Sequence, residues 1–136
     1  MSRIQMQLSR PTLLAFREYK RLIYGDSDIN ATNGYVLGVA LKNILSEISS
    51  TDSIDNLDKI DNIPWVEISK AEIPNVTNST DNEIVRTKTT LTMEKEVDDA
   101  LVLLQNEFKN LFETSRIYKA FVVKMIMFAA IKKRIK

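Results

Sequence analysis

"RIQMQLS", residues 3–9, alternates strictly: Arg3, Gln5 and Gln7 carry long hydrogen-bonding heads, and Ile4, Met6 and Leu8 are apolar. A period of two places alternate residues on opposite faces of a strand, one towards a core and one towards solvent. A second stretch, "RTKTTLT" at residues 86–92, has the same layout, with Arg86, Lys88 and Thr90 interleaved with Thr87, Thr89 and Leu91. A lone short strand leaves its backbone donors and acceptors unpaired, so two such strands in one chain are natural partners.

The sequence around each stretch repeats as well. Ser9 is a good N-cap, and Pro11 is tolerated only in a helix's first turn. A helix therefore follows the first strand, with Leu13, Phe16 and Ile23 on or near one face and Arg17, Lys20 and Arg21 outward, until Gly25 and a cluster of turn formers break it. Thr32 or Asn30 can cap a second helix, in which Val36, Leu37, Ala40, Leu41, Ile44 and Leu45 recur at helical spacing. After the second strand, Thr92 is the expected cap of a helix with the stripe Val97, Leu101, Leu104, Phe108 and Leu111. Its acids Glu94, Glu96, Asp98 and Asp99 suit the positive end of the helix dipole, and Ser115 is the expected start of a final helix to about Lys133. The reading divides the chain into units at 1–50 and 84–136, joined by a connector at 51–83.

That connector is rich in Ser, Asn and Asp and holds eight acids against Lys59 and Lys70, a net −6, so the flanks sum to +7 although the whole chain is only +1. The expected effect of the acids is to restrain nonspecific attraction to polyanions. Ile63, Pro64, Trp65, Val66 and Ile68 are too apolar for a purely solvated linker, which leaves a loop pinned by Trp65, a short strand or a packed lid.

Composition narrows the function classes. The chain has 136 residues and neither Cys nor His, which removes thiol nucleophiles, most zinc sites and the commonest catalytic base. Asp98 and Asp99 are adjacent and so face different sides of a helix, a poor carboxylate pair. The reading is of a non-enzyme without cofactor or metal. The first residues lack an apolar signal core, and "AFVVKMIMFAAI" (120–131) is too short to span a bilayer and is interrupted by Lys124; a cytoplasmic protein with no membrane partner is expected. Gly34 and Gly38, four apart, are read as permitting close helix packing, and the terminal "KKRIK" as a solvated helix end.

Strand, cap, helix, turn and helix, found twice, resemble the ribbon-helix-helix family of DNA-binding proteins over about residues 2–47 and 84–133. The resemblance implies a mainly α fold with a short two-stranded antiparallel ribbon, the two units forming a pseudo-dimer within one chain. It implies base contacts by Arg3, Gln5, Gln7, Arg86, Lys88 and Thr90 in the major groove of double-stranded DNA. It also implies phosphate clamps at the second-helix N-termini, at Thr32, Asn33 and Gly34 and at Ser115, Arg116 and Ile117. Thr87 and Thr89 depart from the aliphatic residues expected on the inner face. Tandem chains of this kind resemble relaxosome accessory proteins of conjugative plasmids, of the TraY type. The Ile, Lys and Asn usage is typical of AT-rich genomes and suggests, within that resemblance, a staphylococcal relaxosome factor of the SmpO kind. A relaxase or coupling protein is then a second expected partner, and the chain acts as a monomeric pseudo-dimer or as a homo-oligomer on repeated sites. The competing expectations are a plasmid transcriptional or copy-number repressor and, from another class, an antitoxin-like or scaffolding interaction module.

Overall fold

The two alternating stretches pair with each other. β1 (Ser2–Ser9) and β2 (Arg86–Met93) form a two-stranded antiparallel sheet in which all eight positions of each strand are matched. The register sets Arg3 opposite Thr92, Gln5 opposite Thr90, Gln7 opposite Lys88 and Ser9 opposite Arg86. The structure, a computed structural model, describes residues 1–46, 63–76 and 86–135. The connector acids Asp52, Asp55, Asp58, Asp61, Asp81 and Glu83 lie outside those residues.

Each strand runs almost directly into a helix. α1 (Arg10–Tyr24) is capped by Ser9, whose Oγ accepts from the Thr12 amide at 3.4 Å, and Pro11 occupies the first turn. It ends at Gly25, which takes a left-handed φ of 79° and donates its amide to the Arg21 carbonyl. α2 (Asn33–Ser46) begins after Thr32, whose Oγ1 accepts from the Tyr35 amide at 3.2 Å. Of the two candidate caps, Thr32 is the one used.

The second half differs from the sequence reading in where its helices start. Thr92 lies in the ladder opposite Arg3, so it cannot cap a helix; Glu94 holds the cap position before α4 (Lys95–Leu111), without a side-chain cap bond. The final helix, α5 (Lys119–Ile135), begins after Tyr118 rather than at Ser115. Glu113 turns the chain with a φ of 52°, Thr114 Oγ1 accepts from the Arg116 amide, and Gln105 Nε2 donates to the Ile117 carbonyl at 2.9 Å. These bonds hold residues 113–117 in a turn.

With these boundaries, burial in the two halves falls into register. Thr12, Ala15, Phe16 and Tyr19 of α1 are buried at one constant spacing along the chain from Val97, Ala100, Leu101 and Leu104 of α4. Val36, Leu37, Ala40, Leu41, Ile44 and Leu45 of α2 match Val122, Val123, Ile126, Met127, Ala130 and Ile131 of α5 at a spacing one residue longer. α5 is the central element, packing on α1, α2, α3 and α4, and it is buried nearly all round from Val122 to Ile131. Its interruption, Lys124, is half-buried with its ammonium 5.4 Å from the Phe128 ring centroid, and desolvation holds its pKa below the ordinary lysine value.

The connector contributes to the core in two places. Neither a strand nor a bare loop, "PWVEI" gives a short helix, α3 (Trp65–Ser69), that buries Trp65 edge-on against Phe108, 5.1 Å between centroids. Phe112 and Phe121 complete that aromatic cluster. Further on, Ile73 and Val76 bridge across a turn in which Asn75 has a φ of 67°, and Asn75 Nδ2 donates to Glu18 Oε2 of α1 at 3.3 Å.

Candidate nucleic-acid interface

Because the ribbon lies on the helices by one face only, its alternation sorts the side chains. Ile4 and Met6 are half-buried and Leu8, Leu91 and Met93 fully buried, while Arg3, Gln5, Gln7, Arg86, Lys88, Thr90 and Thr92 are exposed. The six residues predicted as base readers therefore share one outward face. Thr92, spent as a cap in the sequence reading, belongs to that face as well. Thr89 on the inner face is half-buried, and Thr87 is exposed although its cross-strand partner Leu8 is fully buried.

The register decides which heads are neighbours. Gln5 and Thr90 form the outward pair nearest the middle of the ribbon, Gln7 and Lys88 the next, and Arg3 and Thr92 the pair on the other side. Directly opposed Cβ atoms lie about 5 Å apart, so each pair works as a unit. Arg86, opposite Ser9 at the ribbon's end, is placed to reach outward along the flank. Matched by helix start and burial, Arg3, Gln5 and Gln7 correspond to Lys88, Thr90 and Thr92. The two strands contain three cations and no carboxylate.

The start of α2 stands beside the ribbon. α2 packs on β2, and α5 on β1. The approach of α2 is close enough that a Cβ on Gly34 would lie 2.0 Å from the Thr92 carbonyl oxygen, so Gly34 serves contact between a helix and a strand; at Gly38 the nearest atom, Val97 Cγ2, is 3.6 Å from such a Cβ. The first turn of a helix leaves backbone amides without intrahelical acceptors, and the dipole favours anions there. Thr32, Asn33 and Gly34 occupy that position in α2. In α5 it falls to Tyr118, Lys119 and Ala120, and Ser115, Arg116 and Ile117 lie in the preceding turn, with the Arg116 guanidinium stacked 5.1 Å over the Tyr118 ring.

Sequence reasoning missed several residues of this surface. Arg10 and Lys95 open α1 and α4, where the dipole disfavours cations, yet both halves place one there beside the ribbon. Lys95 is partly compensated by Asp99 at 3.3 Å. Tyr35 and Tyr118 are exposed at the starts of α2 and α5, and Lys119 is held by Asp98 at 2.9 Å. Two cations set against a dipole at matching places are a readable signal; the tyrosines gain meaning only from the helix starts.

Chemically, the face can donate and accept hydrogen bonds, attract anions and present threonine methyls. No described helix is long and apolar enough to cross a membrane. Comparison with known proteins returned no matching family model, no matching curated protein and no matching solved structure.

Proposed function

We propose that this chain binds double-stranded DNA sequence-specifically as a tandem ribbon-helix-helix pseudo-dimer, laying the β1–β2 ribbon in the major groove. One observation carries the reading: a two-stranded ribbon with an outward face of three cations, two glutamines and two threonines, free of carboxylates, with the start of α2 against its edge. The major groove admits such a ribbon; Arg and Lys suit guanine, Gln grips adenine with two bonds, and a threonine methyl meets a thymine methyl. The amides at Asn33–Gly34 and Lys119–Ala120, with Arg10, Lys95 and the tyrosine hydroxyls, suit flanking phosphates. The matched burial of α1 with α4 and of α2 with α5 supports the pseudo-dimer, because each unit then hides the face the other cannot hide alone.

Since the two strands carry different heads, the preferred site is asymmetric, and copies on direct repeats suit an accessory factor at a plasmid transfer origin that assists a relaxase or coupling protein. A plasmid repressor is the alternative, separated by whether selected sites lie at a transfer origin or at a promoter. The interaction-module reading would use the surface around α3, where Trp65 itself is buried against Phe108 and Val66 is exposed, and it is separated from DNA binding by the titration below.

The test is a titration on duplexes selected from random DNA and on scrambled controls, at several salt concentrations. Gln5→Ala and Thr90→Ala, at the middle of the ribbon, are expected to cost about 1–3 kcal/mol on the selected duplex and little on the scrambled one. Arg10→Ala is expected to weaken both equally and to reduce the slope of log affinity against log salt by about 0.9. Equal losses on both duplexes for Gln5→Ala would remove the base-reading role, and no binding to any duplex would remove the function.

A further inference from the structure

The outer faces of α1 and α4 differ in kind. Glu18 on α1 is only 5% exposed, held by Arg21 and by Asn75 from the connector, whereas the matching residue of α4, Leu103, is 37% exposed. Val66 of α3 and Leu111 of α4 are also exposed, and they line a groove of about 540 Å³ between α3 and α4 that is floored by Trp65 and Leu104 and rimmed by Glu67 and Glu107. A groove that is apolar within and acidic at its rim is complementary to a basic element with apolar side chains.

This chain carries such an element. The last turn of α5 holds Lys132, Lys133 and Arg134, followed by an exposed Ile135, and Arg134 reaches towards Tyr19 near the exposed Tyr24 of α1. The chain cannot fill its own groove with this end. Phe121, which belongs to the aromatic cluster under the groove, opens α5, and Arg134 closes it; at ~1.5 Å per helical residue the two are roughly 20 Å apart. We infer that the basic end of α5 docks in the α3–α4 groove of a second copy, so that copies associate head to tail. Such a contact joins two different surfaces, leaves one of each free at the ends, and extends into a polar array unless the rotation closes a ring. It is independent of the DNA-binding reading and needs no DNA.

The experiment is sedimentation velocity of the full chain without DNA, across a concentration series at low and high salt. The wild type is expected to gain mass with concentration at low salt and to return to the monomer at high salt, where charges more than a few ångströms apart are screened. Glu67→Lys with Glu107→Lys, and separately Lys132→Glu with Arg134→Glu, should each stay monomeric, and an equimolar mixture of the two should regain association. Glu67, Glu107 and Arg134 are exposed and Lys132 is half-buried, and circular dichroism checks that each variant is folded. If one variant fails that check, the other variant and the salt series still decide. A wild type that stays monomeric at the highest soluble concentration, or either variant associating with itself, overturns the inference.

Discussion

The first half of the chain lines the inner face of its strand with apolar side chains throughout, and the second does not. β1 offers Ile4, Met6 and Leu8 inward, whereas β2 offers Thr89, Leu91 and Met93 at the matching places. Behind the ribbon the balance reverses. α4, its C-cap and α5 supply Phe108, Phe112 and Phe121, a cluster in which Phe108 meets Trp65 edge-on, while α1 has the half-buried Ile23 where α4 has Phe108. Ser9 caps α1 with a side-chain bond, and Glu94 leaves α4 without one. The two halves share a pattern of buried positions, but the aromatic cluster that receives the connector's Trp65 comes from the second alone.

The sharpest break in that comparison is at the aromatic cluster. Phe108→Ala is expected to cost about 3–5 kcal/mol of stability, because the side chain is fully buried and touches three other rings. Ile23→Ala, at the matching place, should cost clearly less, since Ile23 is half-buried. Urea denaturation of both variants measures the difference; equal costs would mean that the halves contribute alike and that α3 adds nothing to the second.

The next effect lies where α2 meets the ribbon. Gly34→Ala forces a Cβ to within 2.0 Å of a backbone oxygen that no rotamer change can move, so a loss of about 3 kcal/mol is expected from displacing α2 or β2. Ala120→Gly, at the matching start of α5, should cost about 1 kcal/mol at most, the backbone entropy of a helical glycine. Thermal unfolding separates the two. A neutral Gly34→Ala would show that α2 stands off the strand, and the case for its N-terminus bordering the outward face would weaken with it.

What could be read from the sequence follows from how local each cause is. The alternation of Arg3 to Leu8, the Ser9 cap, Pro11 and the Gly25 stop all act within a few residues, and each appears where expected. The six outward heads were equally legible, because strand alternation alone assigns a face. The starts of α4 and α5 were not. Thr92 is as good a cap as Ser9 by chemistry, and only its pairing with Arg3, nearly ninety residues away, keeps it in the strand. Ser115 is likewise a sound helix start, overruled by the bond from Gln105 to Ile117. These shifts change which residues stand at a helix N-terminus and which strand residues correspond, so Ser115, Arg116 and Ile117 fall in the turn before α5 while Thr32, Asn33 and Gly34 do stand at the start of α2. The groove beside Trp65 was invisible for the same reason: a single tryptophan in a polar connector does not say which ring it will meet.

The smallest expected effect probes how the connector holds the first half. The Glu18 carboxylate lies below its ordinary pKa, chiefly through its side-chain hydrogen bonds from Arg21 at 2.7 and 2.8 Å; burial opposes the shift and the bond from Asn75 adds to it. A carboxylate whose folded pKa is depressed stabilises the fold at pH values above its unfolded value, near 4.5, and that stability is lost as the pH falls from there through the lowered folded value. Stability of the wild type should therefore decline on acidification below about pH 4.5, and part of that decline should vanish in Glu18→Gln, which keeps the shape and loses the titration. Arg21 is half exposed, so its share is screened by solvent and should shrink further with salt. Asn75→Ala should reproduce a fraction of the change, since it removes the connector's bond and leaves the Arg21 pair intact. The comparison is between urea midpoints measured at pH values above and below 4.5 for the three chains. If Asn75→Ala leaves the acid-side slope unchanged, the connector's turn is not fastened to α1 through this carboxylate, and the first half stands without the tie that the second has in Trp65.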